Sequence, residues 1–251
     1  PLLVALIIGW VFSGWPQVYN FPPKIQEVHA AVPTFEAVSA AKGGTKAITP
    51  TMPAGALTND ILLLACETAN QAVTVSGGTE TWAEVANSPQ GTRTAGDAAA
   101  TRLTIFWARA SQDAPSSPAT NDPGDHIICT ISVFRGVITT GDPWDVGAGG
   151  VEATPTTSNS IPGTSTTVAD TIVVSYIAGA LPDANSTNEW SSFANGNLTS
   201  FAEQDDDSKN SGNGGALGFS TGTKASAGDY GTTTVTSAET SAKGMISLAL
   251  E

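Results

Sequence analysis

The sequence predicts an all-β protein: a two-sheet antiparallel β-sandwich of Greek-key or jelly-roll type, preceded by an N-terminal hydrophobic helix. Three observations predict it. Short apolar, β-branched runs recur along the chain, separated by Gly, Pro, Asn and Asp turn signals. No helical periodicity is sustained after residue 31. The strongest run, Asp125–Val137 (DHIICTISVFRGV), is apolar on both sides of an extended chain. Ile127, Cys129, Ile131 and Val133 share one side; Ile128, Thr130, Ser132 and Phe134 share the other. A strand greasy on both faces belongs in the middle of a layered body.

Residues 1–31 form a unit of their own. Leu2–Phe12 is an uninterrupted apolar run, broken by Ser13-Gly14-Trp15-Pro16 and flanked by Trp10, Trp15 and Tyr19. Val28-His29-Ala30 places small residues at −3 and −1 of a signal-peptidase cut after Ala30. Two readings of this segment stand: an export signal or a retained membrane anchor.

Residues 32–251 read as one β-domain. Thr34–Lys42 is the expected first strand, and Met52-Pro53-Ala54-Gly55 a turn. Asp60–Thr68 follows as a second strongly apolar strand, with Leu62, Leu64 and Cys66 on one face and Ile61, Leu63 and Ala65 on the other. Ala72–Val75 and Thr81–Val85 flank a Gly77-Gly78 hairpin turn. Arg102–Ala108 alternates Leu103, Ile105 and Trp107 against Thr104, Phe106 and Ala108. Ser111–Gly124 carries three prolines and is a connection. Gly141–Asp145 is a turn whose Trp144 lids the sandwich, and Thr171–Ile177 is another core strand. Asn185–Gly215 is polar and expected to be a long loop with a short irregular strand near Trp190–Phe201. Ala216–Thr221, Gly231–Thr236 and Met245–Leu250 complete the domain. The apolar strands lie far apart in sequence, which favours Greek-key connections over a meander.

Composition narrows the function classes. Hydrophobic residues make up 40% and charged residues 13%, so a real core is clothed in neutral hydroxylic surface. The net charge of −13 opposes nucleic-acid binding, which needs a basic footprint, and limits membrane contact to the N-terminal segment. Cys66 and Cys129 both fall in expected strands. They are either one disulfide of an exported protein or two buried thiols.

AITPTMPAG before NDILLLACETA, then TRLTIFWARA, GDHIICTISVFRGV, GDPWD and a closing GMISLALE together resemble β-sandwich modules of phage tail appendages and of exported surface proteins of uncultivated bacteria. The resemblance implies a jelly-roll-like body with an adhesive or structural role. Its motifs are strand cores and turns, so it assigns no functional residue.

Candidate chemistry is sparse. Glu80 and Glu84 flank Trp82 as a glycosidase pair would flank a stacked sugar, but no second carboxylate strand accompanies them. His126 beside Asp125 lacks a serine elbow, so no catalytic residue is assigned and the protein is expected not to be an enzyme. No metal site is expected beyond a weak calcium candidate at Asp205, Asp206 and Asp207, and no other cofactor. Trp82, Trp144, Trp190 and Tyr230 adjoin turns and form the expected ligand-contact surface for a glycan, a protein or a second copy of the chain. The expected protein is therefore an extracellular or cell-surface module for adhesion or glycan or protein binding, with a structural subunit of an envelope, appendage or phage-like particle as the alternative and a carbohydrate-active enzyme as the remote one.

Overall fold

The computed structural model describes residues 32–181 and 188–251. The expected N-terminal helix, both readings of residues 1–31 and His29 lie outside these residues. Among the described residues every regular element is a strand, and no helix is long and apolar enough to cross a membrane.

The first half of the chain supplies β1 (Thr34–Val38), β2 (Lys42–Gly44), β3 (Ile61–Thr68), β4 (Val75–Ser76), β5 (Ala83–Glu84), β6 (Gln90–Thr92), β7 (Thr101–Arg109), β8 (Ala119–Thr120) and β9 (Ile127–Arg135). The second half supplies β10 (Trp144–Ile161), β11 (Ser165–Thr166), β12 (Thr171–Gly179), β13 (Trp190–Ala194), β14 (Thr199–Lys209), β15 (Gly215–Lys224), β16 (Gly228–Asp229) and β17 (Thr233–Leu250). Two large antiparallel sheets result. One runs β1-β9-β3-β7-β5, with β2 added on β9 and β6 on β7. The other runs β10-β17-β12-β15-β14, with β13 added on β17. β4–β8 and β11–β16 are small separate ladders.

The sheets lie face to face over one apolar layer. From the first come Ile61, Leu63, Ala65, Leu103, Ile105, Ile128 and Phe134; from the second, Ile172, Val174, Tyr176, Leu217, Phe219, Ile246, Leu248 and Leu250. These are alternate residues of their strands, as the two-residue pleat requires. The outward residues are covered too. Leu62, Leu64, Cys66, Cys129, Ile131 and Val133 pack beneath Ile48, Ala56 and Val73 of the overlying loops. On the other sheet Ile177, Ala216 and Met245 lie against Trp190 and Val235. Covering on both sides is why the central strands are apolar on both faces.

Each sheet comes from one contiguous half of the chain, and the two halves share a plan. Numbered along the chain, the five main strands of both sheets lie in the order first, fifth, second, fourth, third. The registers agree. Phe35 pairs with Phe134, which also pairs with Ile61; Trp144 pairs with Leu250, which also pairs with Ile172. Both first strands then slip by one residue, between Phe35 and Ala37 and between Trp144 and Val146. Ala83 pairs with Trp107 and Ala202 with Thr221, which aligns Thr81-Trp82-Ala83-Glu84 with Ser200-Phe201-Ala202-Glu203. Packing is reciprocal as well: Phe35 of the first sheet meets Phe219 of the second edge-on at 5.8 Å, and Trp144 of the second meets Trp107 of the first at 5.6 Å.

Two expectations give way. In a jelly roll successive strands alternate between sheets, whereas here each sheet is completed before the other begins. The polar stretch 185–215 is not mainly loop: it contains β13 and the eleven-residue β14. β14 has no apolar face to announce it, and it stands by pairing with β15 along one edge.

Candidate functional site

One cluster of ionisable groups in the interior has the make-up of a reaction centre. The inward row of β3 runs Ile61, Leu63, Ala65 and then Glu67, so a carboxylate ends an otherwise apolar row and is fully buried. His126 precedes β9, the neighbouring strand, and is also buried. Its Nε2 lies 2.8 Å from Glu67 Oε2 and its Nδ1 lies 2.6 Å from Asp125 Oδ2. Thr101 Oγ1 donates to Glu67 Oε1 at 2.9 Å. The backbone N–H of Asn213, from the turn between β14 and β15, donates to Asp125 Oδ2 at 2.9 Å. Gly215 makes this closure possible, because a Cβ there would collide with the Glu67 carboxylate.

The electrostatics follow from the geometry. Burial by itself would lower the imidazole's pKa. The Glu67 charge, with hydrogen bonds to Glu67 and Asp125, outweighs burial and pushes His126 up to about 9. Burial raises Glu67 above the usual carboxylate range, against the pull of His126. The group is an imidazolium held between two carboxylates. Both ring nitrogens are spent on carboxylates, and Thr101, the hydroxyl in contact, is itself buried and donates to Glu67. A triad needs one imidazole nitrogen facing a reachable nucleophile. The arrangement instead ties β3, the start of β9 and the β14–β15 turn together, joining the two sheets.

The other residues singled out from sequence are scattered. Cys66 and Cys129 stand directly opposite on β3 and β9 and are joined in a disulfide. Trp190 and Tyr230 are interior residues, not surface ones: Trp190 packs with Ile177 and Met245, and Tyr230 packs with Val173 and donates to or accepts from Ser247 Oγ at 2.8 Å. Turn-adjacent aromatics were drawn inward because loops cover the outer faces. Trp82 is half-buried against the outer core of the first sheet, and Trp144 is half-buried against Trp107. These four rings do not make one contact surface.

Glu80 accepts from the backbone N–H and the hydroxyl of Ser111, each at 3.0 Å, and Glu84 accepts from Ser88 Oγ at 2.8 Å. They serve separate loops. Asp205, Asp206 and Asp207 lie along β14, where successive side chains alternate sides. Asp206 accepts from the N–H groups of Glu189 and Trp190 at 3.1 and 3.0 Å; Asp207 accepts from that of Ala41 at 3.3 Å. Burial, reinforced by Asp207 and Asp206, pushes Asp205 up to about 7. Among the described residues no three His, Cys, Asp or Glu side chains converge on a metal position.

Lys243 is a buried cation that no sequence motif marks. It lies on β17, is fully buried, and donates from Nζ to the carbonyls of Ser241 at 2.8 Å and Thr156 at 3.1 Å. The ammonium sits 5.8 Å from the centroid of the Trp190 ring. Burial lowers its pKa to about 8. A lone lysine in SAETSAKGMISL gives no sequence signal that its strand is covered on both faces.

No protein-family model, curated protein or solved structure matches the chain.

Proposed function

We propose that the chain is an exported, cell-surface β-sandwich module that works by binding and not by catalysis. The observation that supports this reading is the burial of the imidazole with catalytic-looking neighbours, whose two ring nitrogens both face carboxylates. The disulfide supports the export half of the proposal, since such bonds persist in oxidising compartments. A net charge of −13 supports a partner other than nucleic acid.

The features of the sheet edges favour binding over edge-to-edge assembly as an appendage or envelope subunit. β1 is bulged, and β5 and β6 are two and three residues long. β10 carries Pro155, while the N–H groups of Thr154 and Ser158 are taken by Glu152 and Thr156 of the same strand. β14 slips register twice. Such edges resist pairing with another chain.

The test is the redox state and exposure of the protein in the cells that make it. Alkylation in denaturant at the moment of lysis is expected to leave Cys66 and Cys129 unlabelled until a reductant is added, and protease applied outside intact cells is expected to digest the module. Two freely labelled thiols in protein shielded from external protease would overturn the proposal.

A further inference from the structure

The shared plan of the two halves exposes a difference at one position. Where the first strand of one sheet lies over the fourth strand of the other, two equivalent places arise. At the first, Trp107 on β7 meets Trp144 on β10 edge-on, and Ile61 and Val85 complete an apolar plug. At the second, Phe35 stands for Trp144, Ile172 for Ile61 and Thr221 for Trp107. Small Thr221 leaves that place open: a cleft of about 460 Å³ lies between Phe35 of β1, Ile172 of β12 and the edge of β14 and β15. Such a volume lies within the range of small-molecule sites.

Its chemistry is selective. No lining residue carries a charge, in a chain with 23 carboxylates. The floor is apolar, with half-buried Phe35 and buried Ile172. The rim presents the hydroxyls of Thr199 and Ser200 and the amide of Gln204, which donates to the Oγ1 of buried Thr221 at 2.8 Å. The rim is also built with irregular backbone. Ser200 holds φ at +49°, in the bulge where β14 slips between Thr199 and Ala202. A second slip between Glu203 and Asp205 makes room for Gln204 as an additional residue of β14, whereas β5 has already ended at Glu84. Left-handed serine and bulges are costly features that re-aim side chains, and they concentrate at binding sites.

We infer that the cleft between Phe35 and the β14–β15 edge is a binding site for a neutral saccharide unit, one pyranose ring lying where the equivalent place holds the Trp107 indole. An apolar ring face fits the Phe35–Ile172 floor, and ring hydroxyls match a rim of neutral donors and acceptors. An anionic sugar would find no cation in the lining to offset its charge. This inference rests on the binding reading above but not on export, so either can fail without the other.

The experiment uses the intact chain in a detergent that carries no sugar, titrated by ligand-observed NMR with neutral mono- and oligosaccharides of glucose, galactose, mannose and N-acetylglucosamine. Glucuronic acid is the anionic control. At least one neutral sugar is expected to bind, with glucuronic acid silent. Thr221→Trp, which copies the filled site, is expected to keep the melting temperature and weaken that binding at least tenfold. Gln204→Leu, at a half-exposed position that tolerates change, is expected to weaken it similarly should the tryptophan variant misfold. Absence of binding by every neutral sugar, binding unaffected by a folded variant, or preference for glucuronic acid or for a tryptophan-containing peptide would overturn the inference.

Discussion

The two halves of the sandwich use one strand order and one register, yet they are finished in opposite ways. The first half is tied. It holds the Cys66–Cys129 disulfide and the Glu67–His126–Asp125 cluster, and its Trp107 closes on Trp144 of the second sheet. The second half is looser at the same places. Ala178 occupies the inward position that Glu67 holds on the equivalent strand, Thr221 replaces Trp107, and the buried Lys243 ammonium is hydrogen-bonded to backbone carbonyls, with Glu152 opposite it on β10. The difference teaches that strand order and register come from a repeated frame, while rigidity and open space are set by a few side chains placed on it. The disulfide and the imidazole–carboxylate ties gather in the first half, and the unfilled cleft lies where their equivalents are missing.

The comparison can be broken most forcefully at the disulfide. It closes a separation of 63 residues, and losing that constraint is worth about 4 kcal/mol. Cys66→Ala with Cys129→Ala is expected to lower unfolding free energy by about that amount in urea titration. No pair in the second half should cost as much. His126→Ala leaves Glu67 buried beside Asp125 without a counter-ion and is expected to cost about 3 kcal/mol. Trp107→Thr, which gives the first half the residue of the second, opens a second cleft and is expected to cost about 2 kcal/mol. If that variant melts with the parent, the two places are not equivalent.

The pH dependence sharpens the comparison further. A histidine whose folded pKa is raised from 6.5 to about 9 contributes stability that is complete below pH 6.5 and is lost as pH rises through 9. Lys243 acts in the opposite sense, because its folded pKa is lowered from 10.5 to about 8, so stability recovers between pH 8 and 10.5. The parent is therefore expected to lose stability from pH 6.5 to 8, and His126→Gln is expected to flatten that fall. Unfolding curves at pH 6, 8 and 10 test both. Lys243→Met is the mildest change: it removes a buried charge and its desolvation cost together and is expected to shift stability by within about 1 kcal/mol.

Much of the frame was legible in the sequence because β3, β7, β9, β12 and the end of β17 are apolar runs bounded by turns. The repeat was not. It rests on register and bulges, and its one visible trace, Thr81-Trp82-Ala83-Glu84 against Ser200-Phe201-Ala202-Glu203, is four residues long. β14 was missed because a strand rich in aspartate carries no apolar alternation. The burial of Trp190 and Tyr230 is not legible, because neighbouring turns say nothing about what folds over them. His126 beside Asp125 was visible, but Glu67 lies 59 residues away and joins them only through the pairing of β3 with β9. The cleft could not be read from any motif, since it consists of what Thr221 lacks relative to Trp107.

The most direct test of the repeated frame is a crystal structure of Thr221→Trp. The new indole is expected to lie in the cleft against Phe35, as Trp107 lies against Trp144, with β1, β14 and β15 unmoved. An indole turned to solvent, or β1 displaced from the second sheet, would contradict the equivalence of the two halves.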